Sequence, residues 1–195
     1  MARINRDDVD KLYDYDLFLP SRTIYMGSSE VDMEGNESGT DPKMAERVIK
    51  ALHILDQKDE PIIIIMNNPG GSFYDGMAIY DAIKACRSHV TIKVFGVAMS
   101  MGAVILQAAD ARIMAPNARC MIHYGYMGFE GHSKTFEKWA DENKKTNSVI
   151  ESVLLQKIKE TKPNFSLRDL QDLLDHDTIL SAEETVKIGL ADSIL

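Results

Sequence analysis

Three short segments of the 195-residue sequence contain residues suited to nucleophilic chemistry. In the first, Ser100 lies among small residues between an apolar stretch and a run that favours a helix. In the second, His123 ends an apolar stretch and is followed by glycine. A serine hydroxyl is a weak nucleophile at neutral pH and needs a base within hydrogen-bond reach. The two residues predict acyl transfer at Ser100 if the fold brings their side chains together.

Both residues also have structural explanations. Small residues around Ser100 would let a helix pack closely, and a single histidine after apolar residues is often part of a core. The other histidines are less well placed. His53 lies in a predicted helix, and His89 precedes a strand at its opposite end. His132 and His176 lie in polar loops or at helix edges. His123 is therefore the candidate base.

The third segment is the turn at residues 68–72, which contains two adjacent glycines directly after an apolar run. Glycines allow a backbone to approach a ligand closely. The backbone N–H groups of Gly70 and Met101 are candidate donors to a developing oxyanion, since Met101 would begin the helix after Ser100. A plain strand-to-helix turn explains the glycines equally well, so this segment alone does not decide between the two interpretations.

The elements that would position these residues alternate between strands and helices. Apolar and β-branched runs predict strands at residues 22–27, 61–66, 90–97, 111–115 and 119–123. Periodic apolar positions and capping residues predict helices capped by Asp41, Ser133, Ser166 and Ser181, the last of them ended by Gly189. A further helix is predicted at about residues 74–87, and residues 98–109 are predicted to be a turn leading into a helix. The β-branched run at 61–66 predicts a strand buried on both faces. This alternation predicts an α/β domain with a largely parallel sheet, whose carboxyl ends hold the site.

Three segments lie outside this regular pattern. The helix predicted from Ser133 to about residue 160 is entirely polar at residues 141–147, so it is expected to project from the domain. The polar residues 1–12 are expected to be a mobile N-terminal segment. Residues 30–40 are rich in acidic and small residues and are predicted to be a loop, to which the sequence assigns no role.

Composition limits the classes of partner. The net charge of −8 argues against nucleic acid or an anionic membrane, because phosphate binding needs a basic surface. No apolar run approaches the length of a membrane span, and the N-terminus lacks the apolar stretch of a secretory signal. Cys86 and Cys120 show neither metal-ligand spacing nor a disulfide framework and are predicted to be small buried side chains. These features predict a cytoplasmic protein without a metal or cofactor.

Four segments, in their order and spacing, resemble the ATP-dependent Clp protease proteolytic subunit (ClpP) family. They are the glycine turn with the helix after it (residues 67–81), the serine segment (98–103), the histidine segment (121–123) and a C-terminal block (177–192). The resemblance covers nearly the whole chain. It implies one ClpP-like domain over residues 1–195, built of ClpP/crotonase-like stacked β-β-α units, with a protruding handle helix over residues 132–161.

The resemblance also implies roles for individual residues. Ser100 would be the nucleophile, His123 the general base and acid, and Asp177 the acid that orients His123, with Asp175 as the rival of Asp177. By the same match, Gly70 and Met101 would donate their N–H groups to the oxyanion. The substrate-binding residues would be Gly71, Tyr124 and Gly125. The chemistry implied is hydrolysis of peptide bonds through an acyl-enzyme.

Members of that family assemble as two stacked seven-membered rings around a chamber that an AAA+ unfoldase supplies with unfolded polypeptide. The resemblance implies that this chain does the same, with no nucleic-acid or membrane partner. The helix from Ser133 would join ring to ring, and residues 125–131 would form a strand beside it. Extended substrate would pair with that strand through backbone hydrogen bonds.

The sequence departs from the family pattern at several positions. Tyr124 and Gly125 replace a Gln-Pro pair, which predicts an altered wall of the active site. His176 replaces an arginine of the inter-ring ion pairs. Isoleucines occupy the strand in which the family often has a tyrosine that contacts the unfoldase, and the leader before Tyr13 is short.

Three alternatives remain open at the level of sequence. One is a ClpP-like maturation protease, for example viral, that works without an unfoldase. Another is a crotonase-like enzyme acting on acyl-thioesters, which would share the oxyanion architecture without needing Ser100, His123 and Asp177 together. The third is a non-catalytic ring subunit, which the intact set of three residues disfavours.

Overall fold

The computed structural model describes residues 5–27, 39–126, 128 and 130–195. Its helices are α1 (Arg6–Tyr15), α2 (Pro42–Leu55), α3 (Phe73–Ala85), α4 (Met101–Leu106), α5 (Ser133–Thr161), α6 (Leu167–Leu174) and α7 (Ala182–Ile188). Its strands are β1 (Leu17–Phe18), β2 (Thr23–Gly27), β3 (Ile62–Asn68), β4 (Val90–Met99), β5 (Ala111–Met114), β6 (Arg119–Ile122), β7 (Thr178–Ser181) and β8 (Ser193–Ile194). A short 3₁₀ turn, Leu19–Ser21, joins β1 to β2.

The strands form one mixed sheet in the order β1-β2-β3-β4-β5-β8. All neighbours along this path are parallel except β1, which runs antiparallel to β2. The ten-residue β4 pairs with β5 along its first half and with β6 near its carboxyl end. The final strand of the sheet, β7, runs antiparallel to β6. The predicted α/β class with a largely parallel sheet is confirmed.

The core lies between this sheet and helices packed on it. Ile62, Ile64 and Met66 of β3 are fully buried, while the residues between them are only half-buried. One face of β3 is therefore buried and the other partly covered, so the prediction of a strand buried on both faces is wrong for the isolated chain. Asp41 caps α2 as predicted, since its carboxylate accepts the N–H of Met44.

The N-terminal segment contains a helix that the sequence did not predict. Helix α1 begins after Asn5, whose side chain accepts the N–H of Asp8, while the Asp8 carboxylate accepts the N–H of Asn5. This capping box closes a polar helix without buried residues. Hydrophobic periodicity could not reveal such a helix because it has no apolar face in the core. The loop expected at residues 30–40 lies outside the described residues apart from its last two.

Helix α5 is anchored at one end only. Its buried residues are Ile150, Leu154 and Ile158, all in the carboxyl-terminal half. The amino-terminal half leaves Phe136 and Trp139 exposed, as expected for a helix that projects from the domain. Its cap is His132, whose ring accepts the N–H of the second helical residue, and not Ser133 as predicted. The described part of the expected strand at 125–131, residues 125, 126, 128, 130 and 131, is not paired into the sheet.

The two cysteines have different environments. Cys120 is fully buried, as predicted, and burial raises the pKa of its thiol to about 12. Cys86 is only half-buried, because it caps the carboxyl end of α3, so its predicted burial is wrong. No helix among the described residues is both long and apolar enough to cross a membrane.

A buried arginine fastens the carboxyl-terminal strand to the sheet. Arg112 of β5 donates to Gln107, to the carbonyl of Gly189 and to the carboxylate of Asp192, just before β8. Burial opposes ionisation of Asp192, but the hydrogen bonds from the Arg112 side chain and backbone prevail and lower its pKa. A carboxylate with a lowered pKa stabilises the fold above its unfolded-state pKa, and that contribution is lost as pH falls through the folded-state pKa.

We expect Asp192→Asn to reduce the free energy of unfolding at pH 7 by about 1 kcal/mol, since Asp192 is partly solvated and the interaction is screened. The difference from wild type should shrink as the pH is lowered from 7 through the lowered folded-state pKa of Asp192, because the wild-type carboxylate then also becomes protonated. Thermal unfolding of both proteins across this range measures it. Asp172→Asn, on the exposed face of α6, is the control. A difference that is the same at every pH would contradict this account.

Candidate active site

Ser100 lies at a strained turn between β4 and α4. Its backbone has φ 52° and ψ −121°, in a region that non-glycine residues rarely adopt. Its N–H donates to the carbonyl of Met121 at 2.8 Å, which ties the turn to β6. Strained serines at strand-to-helix turns project their hydroxyl from the sheet edge, and such strain concentrates at functional sites.

The small residues near Ser100 also serve close packing, as the structural interpretation proposed. A Cβ on Gly102 would lie 2.7 Å from the carbonyl oxygen of Asn68, and one on Gly76 would lie 2.4 Å from the end of Met101. The packing brings α4 against the turn after β3. The functional and structural interpretations of this segment are therefore compatible.

The pairing of β6 with β7 places His123 opposite Asp177. In this antiparallel pair Ile122 lies opposite Thr178. The same register places His123, which follows Ile122, opposite Asp177, which precedes Thr178. His123 Nδ1 lies 2.8 Å from Asp177 Oδ1, and His123 Nε2 lies 2.9 Å from Ser100 Oγ. The structure thus brings together the three side chains predicted from the sequence.

The rival carboxylate does not reach the histidine ring. Asp175 is the C-cap of α6, and its backbone N–H donates to the carbonyl of Gln171. His176, between the two aspartates, lies 3.3 Å from the hydroxyl of Thr178. Of the two aspartates, Asp177 alone contacts His123 among the described residues.

The side chains of His123 and Asp177 differ in exposure. The His123 side chain is 10% exposed, whereas that of Asp177 is 54% exposed. The only hydrogen bond of the Asp177 carboxylate within the described residues is the one to His123. When Nδ1–H donates to this carboxylate, Nε2 is left as an acceptor for the hydroxyl of Ser100. This arrangement is suited to removing the Ser100 proton.

The two predicted oxyanion donors are differently placed. Met101 begins α4, so its N–H has no acceptor within the helix. Gly70 packs against the same turn, since a Cβ there would lie 2.6 Å from Ser100 Cβ and 3.1 Å from Met101 N. Its N–H, however, donates to Asn68 Oδ1 at 2.7 Å. Met101 is the available donor in this conformation, and the N–H of Gly70 is occupied.

Asn68 and Thr40 hold the glycine turn, and neither role was predicted from the sequence. Asn68 is fully buried, and its amide exchanges hydrogen bonds with the Thr40 hydroxyl. The Thr40 backbone pairs with the turn on both sides, donating to the carbonyl of Gly70 and accepting from the N–H of Ser72. A polar residue at the end of an apolar run, two residues before the glycines, is the signal that could have indicated a structural role for Asn68.

A cavity of about 200 Å³ opens beside Ser100 and His123. Its inner wall is apolar and comes from α4, β6 and α5: Met101, Val104, Ile122, Ile150 and Leu154. Amide and hydroxyl groups of α5 line another part, from Asn143, Thr146 and Asn147. An apolar group attached to the atom that Ser100 attacks would therefore fit this cavity.

Two of the three predicted substrate-binding residues line this cavity. Gly71 and Gly125 both do, and nothing lies within 4 Å of a Cβ placed on Gly125. Tyr124 does not line it. Its N–H donates to the carbonyl of Leu174, and its hydroxyl donates to Glu151 of α5. The neighbouring Tyr126 lies edge-on to the His123 ring, with 5.7 Å between ring centroids.

No group of three or more His, Cys, Asp or Glu side chains that could hold a metal ion occurs in the described part of the chain. The polar groups around Ser100 are one imidazole, one carboxylate and backbone N–H groups. This set is suited to moving protons and stabilising an oxyanion.

Comparisons with known proteins identify the family of the chain. The sequence profile of the Clp protease family matches residues 18–195. The ATP-dependent Clp protease proteolytic subunit of Deinococcus radiodurans is 32% identical over 191 residues, which cover 95% of this chain and 86% of the relative. The α/β fold, with its projecting helix α5, is consistent with these matches. The chain therefore belongs to the Clp protease family, and membership of this family implies a peptidase of the ClpP type.

Proposed function

We propose that this protein is a serine endopeptidase in which Ser100, His123 and Asp177 are the catalytic residues. The observation that supports it most strongly is the continuous hydrogen-bonded series from Ser100 Oγ through both ring nitrogens of His123 to Asp177. A non-catalytic subunit would have no need for this alignment. A crotonase-like thioesterase would need the oxyanion donors but not all three side chains.

The geometry supports an acyl-transfer mechanism. Ser100 Oγ attacks the carbonyl carbon of the scissile peptide while His123 Nε2 takes the hydroxyl proton, and Asp177 stabilises the resulting imidazolium. The carbonyl oxygen becomes an oxyanion near the N–H of Met101. The imidazolium then gives its proton to the leaving amine, and an ester on Ser100 remains. Water, deprotonated by His123, hydrolyses this ester and releases the carboxylic acid.

A second oxyanion donor requires a small backbone movement. Rotation of the peptide between Pro69 and Gly70 would turn the Gly70 N–H from Asn68 Oδ1 toward the carbonyl oxygen of the substrate. Glycine at this position, with φ +101°, tolerates backbone angles that other residues resist. The Asn68 side chain would keep its hydrogen bonds with Thr40.

The cavity suggests which residue precedes the cleaved bond. An apolar cavity of about 150 Å³ is large enough for benzene. The cavity here, at about 200 Å³, has an apolar inner wall, so an apolar side chain such as Leu, Met or Phe fits it. Backbone groups at Gly71 and Gly125 would align an extended chain, which permits many sequences elsewhere in the substrate.

Membership of the family supports a proposal for the assembly and its partners. The chain would form two stacked seven-membered rings that enclose a chamber with Ser100 inside it. The rings would be joined through the half of α5 that has no buried residues. The relative's name describes an ATP-dependent proteolytic subunit, which favours an AAA+ unfoldase as partner in the cytoplasm. The substrate class is then unfolded polypeptide. A maturation protease without an unfoldase would share the same active site.

The proposal is tested by assaying wild type and Ser100→Ala with a fluorogenic peptide carrying an apolar residue before the cleaved bond, with unfolded casein and with an acyl-CoA thioester. We expect wild type to hydrolyse the peptide and Ser100→Ala to lose roughly 10⁴-fold or more of that rate. Degradation of casein alone, without an unfoldase and ATP, would favour the maturation protease. Hydrolysis of the thioester but not of the peptide would support the crotonase-like alternative and refute the proposal.

A further inference from the structure

The side chain that follows the catalytic histidine turns away from the cavity and is held by two helices. Tyr124 donates its backbone N–H to the carbonyl of Leu174, the last residue of α6, at 2.8 Å. Its hydroxyl donates to Glu151 Oε1 in the anchored half of α5. Gln171 of α6 donates its amide to the same oxygen at 3.0 Å. One carboxylate oxygen thus joins the histidine segment, α5 and α6.

These contacts lie on both sides of the histidine–aspartate pair. Tyr124 is the residue directly after His123, and Gln171 lies in the helix that leads to Asp177 six residues later. The Asp177 carboxylate has no other hydrogen bond within the described residues to hold it, and its side chain is half-exposed. The separation of His123 from Asp177 must therefore be fixed by the backbone segments on which they lie.

The environment of the tyrosine suits it to a fixed donor. Burial, and then the hydrogen bond to Glu151, raise the pKa of the Tyr124 phenol, so the hydroxyl keeps its proton throughout the range in which peptidases work. The side chain also packs against the hydrophobic core. In this structure the Tyr124 side chain contacts α5 and does not line the cavity, contrary to the sequence-based expectation.

We propose that Tyr124, Glu151 and Gln171 form a clamp that holds His123 and Asp177 in register, with Tyr124 and Glu151 acting as positioning residues for the hydrolysis. The proposal rests on the proposed function. Because Glu151 adjoins Ile150, which lines the cavity, the clamp also ties the base to the helix that forms part of the substrate pocket. A shift of about 1 Å in a positioned group can reduce a rate up to a hundredfold, so the loss of one hydroxyl should be measurable.

The test is steady-state hydrolysis of a short fluorogenic peptide by Tyr124→Phe, Glu151→Gln, Glu151→Leu and the double variant Tyr124→Phe/Glu151→Leu. We expect Tyr124→Phe to lower kcat about tenfold and to change KM less than about twofold, because an interaction that orients the base acts in the transition state. Glu151→Gln, which keeps an oxygen acceptor, should retain most of kcat. The double variant should lose no more than Glu151→Leu alone, because both changes remove the same interaction.

Tyr80→Phe is the matched control, since Tyr80 is a half-buried tyrosine of α3 packed on the core, and we expect it to keep wild-type kcat. Sedimentation velocity normalises kcat to the assembled fraction of each variant. Wild-type kcat in Tyr124→Phe, an equal loss in Tyr80→Phe, or losses that multiply in the double variant would each overturn the clamp. A wild type that fails to hydrolyse peptides would instead refute the proposed function.

Discussion

His123→Ala is expected to reduce peptide hydrolysis by about 10⁴- to 10⁶-fold, because the residues of such a triad act as a unit. Without the imidazole, no acceptor lies within hydrogen-bond distance of Ser100 Oγ, and Asp177 loses its only hydrogen-bond partner among the described residues. The leaving amine also loses its proton donor. The rate is measured with the fluorogenic peptide at several enzyme concentrations, so that trace contamination is recognised.

The control for this variant is His53→Ala, on the exposed side of α2 and far from the sheet edge that bears Ser100. Its rate should remain that of wild type. The thermal stability of His123→Ala should stay close to wild type as well, since the imidazole lies at the cavity surface. A His123→Ala protein that is folded and retains more than about one hundredth of the wild-type rate would show that another group acts as the base.

Gly70→Ala is expected to lower activity by about 10²- to 10³-fold, the usual effect of disrupting an oxyanion site. A Cβ at this position would lie 2.6 Å from Ser100 Cβ and 2.7 Å from the carbonyl oxygen of Met99. The turn that carries Ser100 must therefore move. The backbone at φ +101° is also strained for alanine. The fall should appear mainly in kcat, because the N–H groups act on the transition state.

Gly27→Ala is the matched control for this substitution. A Cβ there makes only ordinary contacts, the nearest atom lying 3.6 Å away, and Gly27 ends β2 without a positive φ. We expect this variant to keep wild-type kcat and stability. If Gly70→Ala retained wild-type kcat, the close packing of Gly70 on Ser100 would have no catalytic significance.

Local patterns in the sequence were sufficient for most of the fold. Asp41 before Pro42 predicted the start of α2, and Ser181 with a glutamate three residues on predicted the cap of α7. Gly189 ends that helix at φ +97°, as its type suggested. These features depend on residues within one turn of each other. Helix α1 was missed because most of its residues are polar and none is buried in the core, although Asn5 and Asp8 form a capping box.

Contacts between distant residues were harder to predict. Asp177 was identified by resemblance, since its proximity to His123 depends on the register of β6 against β7, which the sequence does not reveal. Two hydrogen bonds are of the same kind: the Gly70 N–H donates to Asn68, and the Tyr124 hydroxyl donates to Glu151. No local sequence pattern predicts the geometry of either. The resemblance placed Tyr124 among the substrate-binding residues, but its side chain does not line the cavity and instead donates to Glu151 of α5.

Activation of Ser100 as a nucleophile by His123 is best tested by covalent labelling with a fluorophosphonate and measurement of intact mass. The account predicts one adduct per wild-type chain, located on Ser100 by peptide mapping, and none on Ser100→Ala under the same conditions. Labelling of His123→Ala should be slower by a factor similar to its loss of peptidase activity. An adduct that persists on Ser100→Ala, or a folded wild type that does not react, would contradict the account.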